Sequence, residues 1–337
     1  MVLIHSRKPI FIFSKLLPSL VSAIGLKALP HHAIIYIMQI PYIRNMNLRY
    51  GRIIAMCWLA PFLSSAADIP SYRIYDTRQR EEISVGELAQ RALDADVIFF
   101  GEEHNDSLTH VLQLELFRQL HVLHAPLALS LEMLTTADQL VLDEYLAGLI
   151  TEKNFTSDAG LWENYADYRP LVEYARKHGL RVVAANAPRR YTNRVSRAGL
   201  ESLHDLPYQS RALLAPLPID TLTGPYYDKF ASMMGGHQNM GDMKIYQSQN
   251  LWDATMAYRI HLFLTNYPRA KVLHLAGRFH TDEKLGTVAQ LAKYAPHLRV
   301  RNISCFKHAA FEAPDWDAFA HLADFIILTN PETPPTY

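Results

Sequence analysis

Two sequences of the form Gly-x-x-His stand out in the chain, Gly101-Glu-Glu-His104 and Gly277-Arg-Phe-His280. Imidazole is the side chain whose charge changes near neutral pH, so two histidines can move protons or hold a metal. Each follows directly on an apolar run, Val97-Ile-Phe-Phe100 and Lys271-Val-Leu-His-Leu-Ala276. Two further runs end in polar groups, Leu127–Leu131 at Glu132 and Val182–Ala185 at Asn186. A buried carboxylate at such a place needs a partner: a metal, an arginine such as Arg189 or Arg190, or a histidine. The glycine is expected to let the chain turn sharply off the strand, so that the imidazole folds back over the sheet edge. His110, about two helical turns beyond His104, is close enough to join it. One consequence is a metal-dependent hydrolase: His104, Glu132 and His280 hold a divalent cation while Glu102 acts as base on a bound water. In that reading the catalytic set is Glu102, His104, Glu132 and His280.

The elements that must position these residues are short, continuously apolar strands alternating with helices. That pattern predicts an α/β fold, a mainly parallel sheet with helices on both faces. In such a sheet ligands bind beyond the carboxyl ends of the strands, where Glu102, Glu103, His104, Glu132, Asn186, Arg278 and His280 all fall. Helical spacing of Val111, Leu114, Phe117, Leu120 and Leu123 predicts a helix from His110 to His124, and Leu140, Leu142 and Tyr145 are the core candidates of a helix at 137–149. A Pro-, Tyr- and Met-rich stretch at about 188–245 reads as an inserted, mostly helical lobe, followed by a long helix over 246–264.

Lys plus Arg equals Asp plus Glu, at 33 each. The balance hides an asymmetry, because residues 1–67 carry seven basic residues and no acidic one. The remaining 270 residues hold 26 basic and 33 acidic groups, a net of −7, which argues against a nucleic-acid binder. Within the basic part, Arg49 and Arg52 precede the apolar run Ile53–Leu63 and the small residues Ser64–Ala67, the pattern of a signal peptide over 46–67. The run is shorter than the roughly 20 residues that span a bilayer. Residues 1–45 read as an upstream extension, and 68–337 as one α/β domain. The expected location is the periplasm or cell envelope. Lipid attachment at Cys57 is the lesser expectation, because the bulky Met56 precedes it. Cys305 alone remains in the body, which rules out an internal disulfide and a Cys-ligated structural zinc there.

Val97–His110 (VIFFGEEHNDSLTH), Leu129–Met133 (LSLEM), Tyr174–Asn186 (YARKHGLRVVAAN), Gln249–Ala257 (QNLWDATMA) and Leu275–Gly286 (LAGRFHTDEKLG) resemble the ChaN-like haem-binding proteins. These are exported, iron-uptake-associated proteins of the Tiki/TraB and erythromycin-esterase-like superfamily. The resemblance covers roughly residues 90–305 and holds in order and spacing. It implies haem bound through a tyrosine, a homodimer that can enclose two haems face to face, a partner-subunit histidine on a propionate, and outer-membrane or periplasmic uptake components as partners. In enzymatic relatives the Gly-x-x-His loops and a glutamate bind metal or activate water, at positions matched here by Glu102, His104, Glu132 and His280. With haem as the expected cofactor, the candidate haem-binding residues are Tyr165, Tyr168, His110 and His237. A phenolate is a hard ligand suited to ferric iron, and Trp162 can cover a porphyrin face. Met233–Met243, rich in methionine and glycine, reads as a lid over a flat apolar ligand.

Overall fold

The computed structural model describes residues 71–235 and 244–336. The expected signal segment with Cys57, and His237, lie outside the described residues.

Eight strands form one sheet: β1 (Tyr72–Asp76), β2 (Glu81–Ile83), β3 (Val97–Glu102), β4 (Leu127–Thr135), β5 (Arg181–Asn186), β6 (Lys271–Gly277), β7 (Val300–Lys307) and β8 (Phe325–Thr329). Their order is β2-β1-β8-β7-β3-β6-β4-β5. The six strands from β8 to β5 are parallel, and β1 and β2 add an antiparallel edge. The helices are α1 (Val85–Ala92), α2 (Ser107–Leu123), α3 (Gln139–Leu146), α4 (Glu152–Asp158), α5 (Tyr165–His178), α6 (Arg189–Ala198), α7 (Tyr208–Arg211), α8 (Pro225–Met233), α9 (Lys244–Asn266), α10 (Gly286–Tyr294) and α11 (Trp316–Phe319). The mainly parallel α/β architecture expected from the apolar runs is the one observed.

Both faces of the sheet are covered. Ile98 and Phe100 of β3 point into a core with α1, α2, α3 and α5. Val97 and Phe99 point into a second core with α9 and α10. This period-2 alternation inside a wholly apolar strand is why β3 reads as a continuous run. After β5, α6 and the chain through Ile219 pack on Leu251 and Ala254 of α9. No helix among the described residues is long and apolar enough to cross a membrane.

The helix faces differ in phase from the sequence reading. In α2 the buried stripe is Leu112, Leu116, Phe117 and Leu120, whereas Val111 and Leu123 are exposed. In α3, Leu142 and Tyr145 are buried and Leu140 is 71% exposed. Both segments are apolar on more than one face, so spacing alone leaves the buried stripe undetermined.

Neighbouring strands β3 and β6 set the site. The chain leaves β3 through α2 and returns at β4, beyond β6. It leaves β6 through α10 and returns at β7, beyond β3. The two crossovers run in opposite directions over opposite faces, and both histidine loops lie in the crevice region at the carboxyl ends of these strands, where open α/β sheets bind ligands.

Candidate functional site at the strand exits

The two Gly-x-x-His loops emerge side by side, since Glu102 pairs with Gly277 in the β3–β6 register. Their glycines do not serve as left-handed turns. Neither is among the glycines with positive φ, and Gly277 has φ −55°. Each instead makes room for the other loop. A β-carbon on Gly101 would meet Thr281 Oγ1 and stand 2.9 Å from Arg278 Cα. A β-carbon on Gly277 would stand 2.8 Å from His104 Nε2 and 3.8 Å from Glu132 Oε2. Close approach, not a sharp turn, is what demands glycine at both places.

The first loop centres on Glu102, which is fully buried. His104 Nδ1–H donates to its Oε1 at 2.7 Å. Tyr168 O–H donates to the same oxygen, and Gln113 Nε2–H to Oε2. Burial pushes the Glu102 carboxyl up, but His104, His110 and Tyr168 outweigh it and leave it below the usual glutamate range. The imidazole of His104 lies edge-on to Trp162, 5.0 Å between ring centres. Burial lowers its basicity, while Glu102 and Glu132 raise it to a net gain. With Nδ1 fixed on Glu102, Nε2 is turned toward Gly277 and Glu132.

The second loop centres on His280. Its Nδ1–H donates to Asp253 Oδ1 at 2.7 Å, and its Nε2 lies 3.6 Å from Glu132 Oε1. Burial opposes the charged ring, but Asp253 and Glu132 prevail and raise it to about 9. His280 is therefore an imidazolium at neutral pH. Asp253 is fully buried on α9 and also accepts from Tyr226 O–H at 2.5 Å and Thr287 Oγ1–H at 2.8 Å. Gln249, one turn before it, donates to Tyr226 at 3.0 Å.

Glu132 lies between the two imidazoles. The β4–β5 register shifts between Leu131 and Thr135, so Glu132 sits in an irregular stretch, not at the strand end. Such an irregularity re-aims a side chain. Its Oε2 accepts the Gly277 N–H at 2.7 Å. Its partners are thus a backbone amide and His280; Arg189 and Arg190, the arginine candidates, are exposed. The site brings together Glu102, His104, Glu132 and His280, as the strand exits suggest. Asn186 turns back to accept its neighbour's N–H, from Ala187 at 2.8 Å, and Glu103 accepts Lys307 N–H at 3.2 Å.

Two expectations change. The divalent cation expected on His104, Glu132 and His280 is not supported: among the described residues no group of three or more His, Cys, Asp or Glu is arranged to hold a metal ion. Locally, Glu132 already spends Oε2 on the Gly277 N–H, and His280 spends Nδ1 on Asp253. The aromatic and histidine candidates for haem also have other employment. Tyr168 is buried with its hydroxyl on Glu102, which together with burial raises its pKa strongly. His110 has Nε2–H on the His104 carbonyl at 3.1 Å and Nδ1 3.2 Å from Gln113 Oε1. Tyr165 keeps its hydroxyl buried without a hydrogen-bond partner, and burial raises that phenol too. As placed, none of the three presents an accessible ligand atom, so they do not fit an iron ligand set.

Gln113 is the residue that the sequence does not reach; Asp253, which with Gln249 could face the site although core packing is the first expectation for its helix, arrives from α9 and not from a strand exit. Asp253 stands in an otherwise apolar turn, Leu251-Trp-Asp-Ala-Thr-Met256, and with Gln249 forms a polar pair one helical turn apart; that pair was the available signal.

The model of the haem-binding uptake family of the Tiki superfamily, ChaN, matches residues 88–291, more than half of the chain. The chain belongs to this family. Among solved structures it is similar to ChaN of Campylobacter jejuni with cofacially bound haem, at 19% identity and a TM-score of 0.59, covering 78% of this chain and 98% of that one. Weaker likenesses are to a type III effector (13% identity, TM-score 0.44, 73% and 93% covered) and to an erythromycin esterase mutant in its open conformation (15%, 0.43, 77% and 83%). No curated protein sequence matches the chain. The ChaN family match spans both Gly-x-x-His loops, Glu132 and Asp253.

Proposed function

We propose that this ChaN-family protein is exported to the periplasm or cell envelope, binds haem there and serves haem or iron acquisition, as a homodimer that works with outer-membrane or periplasmic uptake components. Membership of the haem-binding uptake family over residues 88–291 carries the reading. Export is supported by the basic, apolar and small-residue succession of 46–67. The exposed thioethers of Met233 and Met234, at the end of α8, offer the adaptable apolar surface a flat ligand needs. Tyr165, Tyr168 and His110, with their polar atoms buried or already bonded, do not fit as iron ligands. The test is titration of the purified protein with haemin, following the Soret band. A shifted, saturable band at micromolar haemin is expected, and an unchanged band overturns the reading.

One observation favours a second reading, hydrolysis at the same strand exits. Each imidazole has Nδ1 fixed on a buried carboxylate, which leaves Nε2 as the nitrogen for proton exchange, and for His280 that atom lies 3.6 Å from Glu132. His104 would take a proton from water at Nε2, and the His280 imidazolium would stabilise or protonate the leaving oxygen. A panel of activated esters and phosphoesters tests this. If it holds, His104→Ala and His280→Ala each lower kcat/KM by roughly 10²–10⁴-fold. Turnover that is absent, or equal in wild type and variants, removes it. Both variants should still bind haemin, which keeps the two readings separable.

A further inference from the structure

The opposite edge of the sheet carries a feature that neither reading uses. Helix α2 starts at the exit of β3 and ends before β4, and α5 ends at Gly179 before β5. Their carboxyl-terminal halves therefore lie at the amino edge of the strands, away from the histidine loops. Between them opens a groove of about 740 Å³, lined by Arg118, Glu173, Tyr174, Arg176, Lys177 and His178. Tyr174 and His178 are the rings in its lining, and His121 supports them. His121 lies 2.9 Å through Nδ1 from Tyr174 O–H, the Tyr174 and His178 rings are 4.3 Å apart, and the Arg118 guanidinium lies over Tyr174 at 5.6 Å.

The groove carries Arg118, Arg176 and Lys177 against one carboxylate, on a body with a net charge of −7. Its one carboxylate, Glu173, is already engaged, accepting Tyr145 O–H and lying 3.9 Å from Arg176. Arg118 and Lys177 have no carboxylate partner among the described residues. The carboxyl end of α5 favours cations, which explains Lys177 and His178 in part but not Arg118 on α2. Exposed aliphatic side chains flank the charges. Val122 is one turn from Arg118 on the same face of α2 and 81% exposed. Leu149, 75% exposed, follows Gly148, whose Cβ position is 3.9 Å from Arg176 Nη2. Cations beside exposed aliphatic groups suit a surface that is anionic outside and apolar beneath.

We propose that this groove docks the protein on an anionic lipid surface, with Arg118 and Lys177 on headgroup phosphates and Val122 and Leu149 at the acyl boundary. The proposal is independent of haem binding, and it leaves the strand-exit crevice facing away from the lipid. The test is flotation of the full chain with vesicles of phosphatidylglycerol and phosphatidylcholine, against phosphatidylcholine alone. Arg118→Glu/Lys177→Glu and Val122→Ser/Leu149→Ser are compared with wild type, and haemin titration and circular dichroism serve as folding controls. Salt-sensitive binding to the anionic vesicles is expected, weakened about tenfold or more by the charge reversals and several-fold by the serine pair. Equal binding of wild type and charge-reversed protein would assign attachment to the basic residues of 1–67 and overturn the proposal. So would binding of glycerol phosphate, or of an acidic peptide, to Arg118 and Lys177 without vesicle binding.

Discussion

The first Gly-x-x-His loop ends on a histidine whose side chain is 33% exposed; the second ends on one that is 10% exposed. Both rings place Nδ1 on a fully buried carboxylate at 2.7 Å and turn Nε2 toward Glu132. Their carboxylates differ in origin and in company. Glu102 belongs to the same loop as His104 and is shared with Tyr168 and Gln113. Asp253 comes from α9, across the β6 face, and is shared with Tyr226 and Thr287. The same four-residue form thus yields one ring open to the crevice and one sealed imidazolium. The motif sets where the ring stands, and what packs around it sets its charge.

Removing Asp253 should separate the loops most strongly. Asp253→Ala leaves the His280 cation buried with only Glu132, and a loss of about 3–5 kcal/mol is expected in urea denaturation. A loss under about 1 kcal/mol would show that His280 gives up its proton instead.

The pH dependence comes next. His280 has its folded pKa raised to about 9, above the unfolded value near 6.5, so its contribution is fully present below that unfolded value. It is lost as pH rises through about 9 and amounts to about 3 kcal/mol. Glu102 has the opposite sign: its folded pKa is lowered, so its contribution is present above the unfolded value and lost as pH falls through the folded one. Denaturation of wild type and His280→Gln between pH 6 and pH 10 checks the first wing; parallel curves for the two proteins would remove it.

The glycines sharpen the comparison further. Gly101→Ala drives a methyl group against Arg278 backbone and should cost about 2–3 kcal/mol, whereas Gly277→Ala meets the end of the His104 ring, which can move, and should cost about 1 kcal/mol. Thermal unfolding of the two variants decides, and equal costs would mean that the loops are equally constrained. The smallest effect is expected from His104→Ala, under about 1 kcal/mol, because the ring is part-exposed and Glu102 keeps Tyr168 and Gln113. A larger loss would place His104 in the core with His280.

The parallel sheet was legible because β3, β4, β5 and β6 are apolar on both faces and end in polar residues. Edge strands β1 and β2 were not, since Tyr72-Arg-Ile-Tyr-Asp76 and Glu81-Glu-Ile83 are short and mixed in polarity. β1 joins the sheet through β8, more than 240 residues away for Tyr72–Thr329, and β2 joins only through β1. Glu102, His104, Glu132 and His280 were readable as one site because β3, β4 and β6 deliver them to one edge of the sheet. The supporting shell was not, because Gln113, Tyr168 and Asp253 arrive from helix faces whose rotation local spacing leaves open.

By itself, then, the sequence determined the parallel strands, the family and the presence of two imidazoles at strand ends, all properties of short stretches of chain. Tertiary structure alone decided why the glycines are needed and which carboxylate each imidazole is fixed on. Both depend on atoms brought within 3 Å from β3, β6 and α9, and such distances are set by packing, not by spacing along the chain.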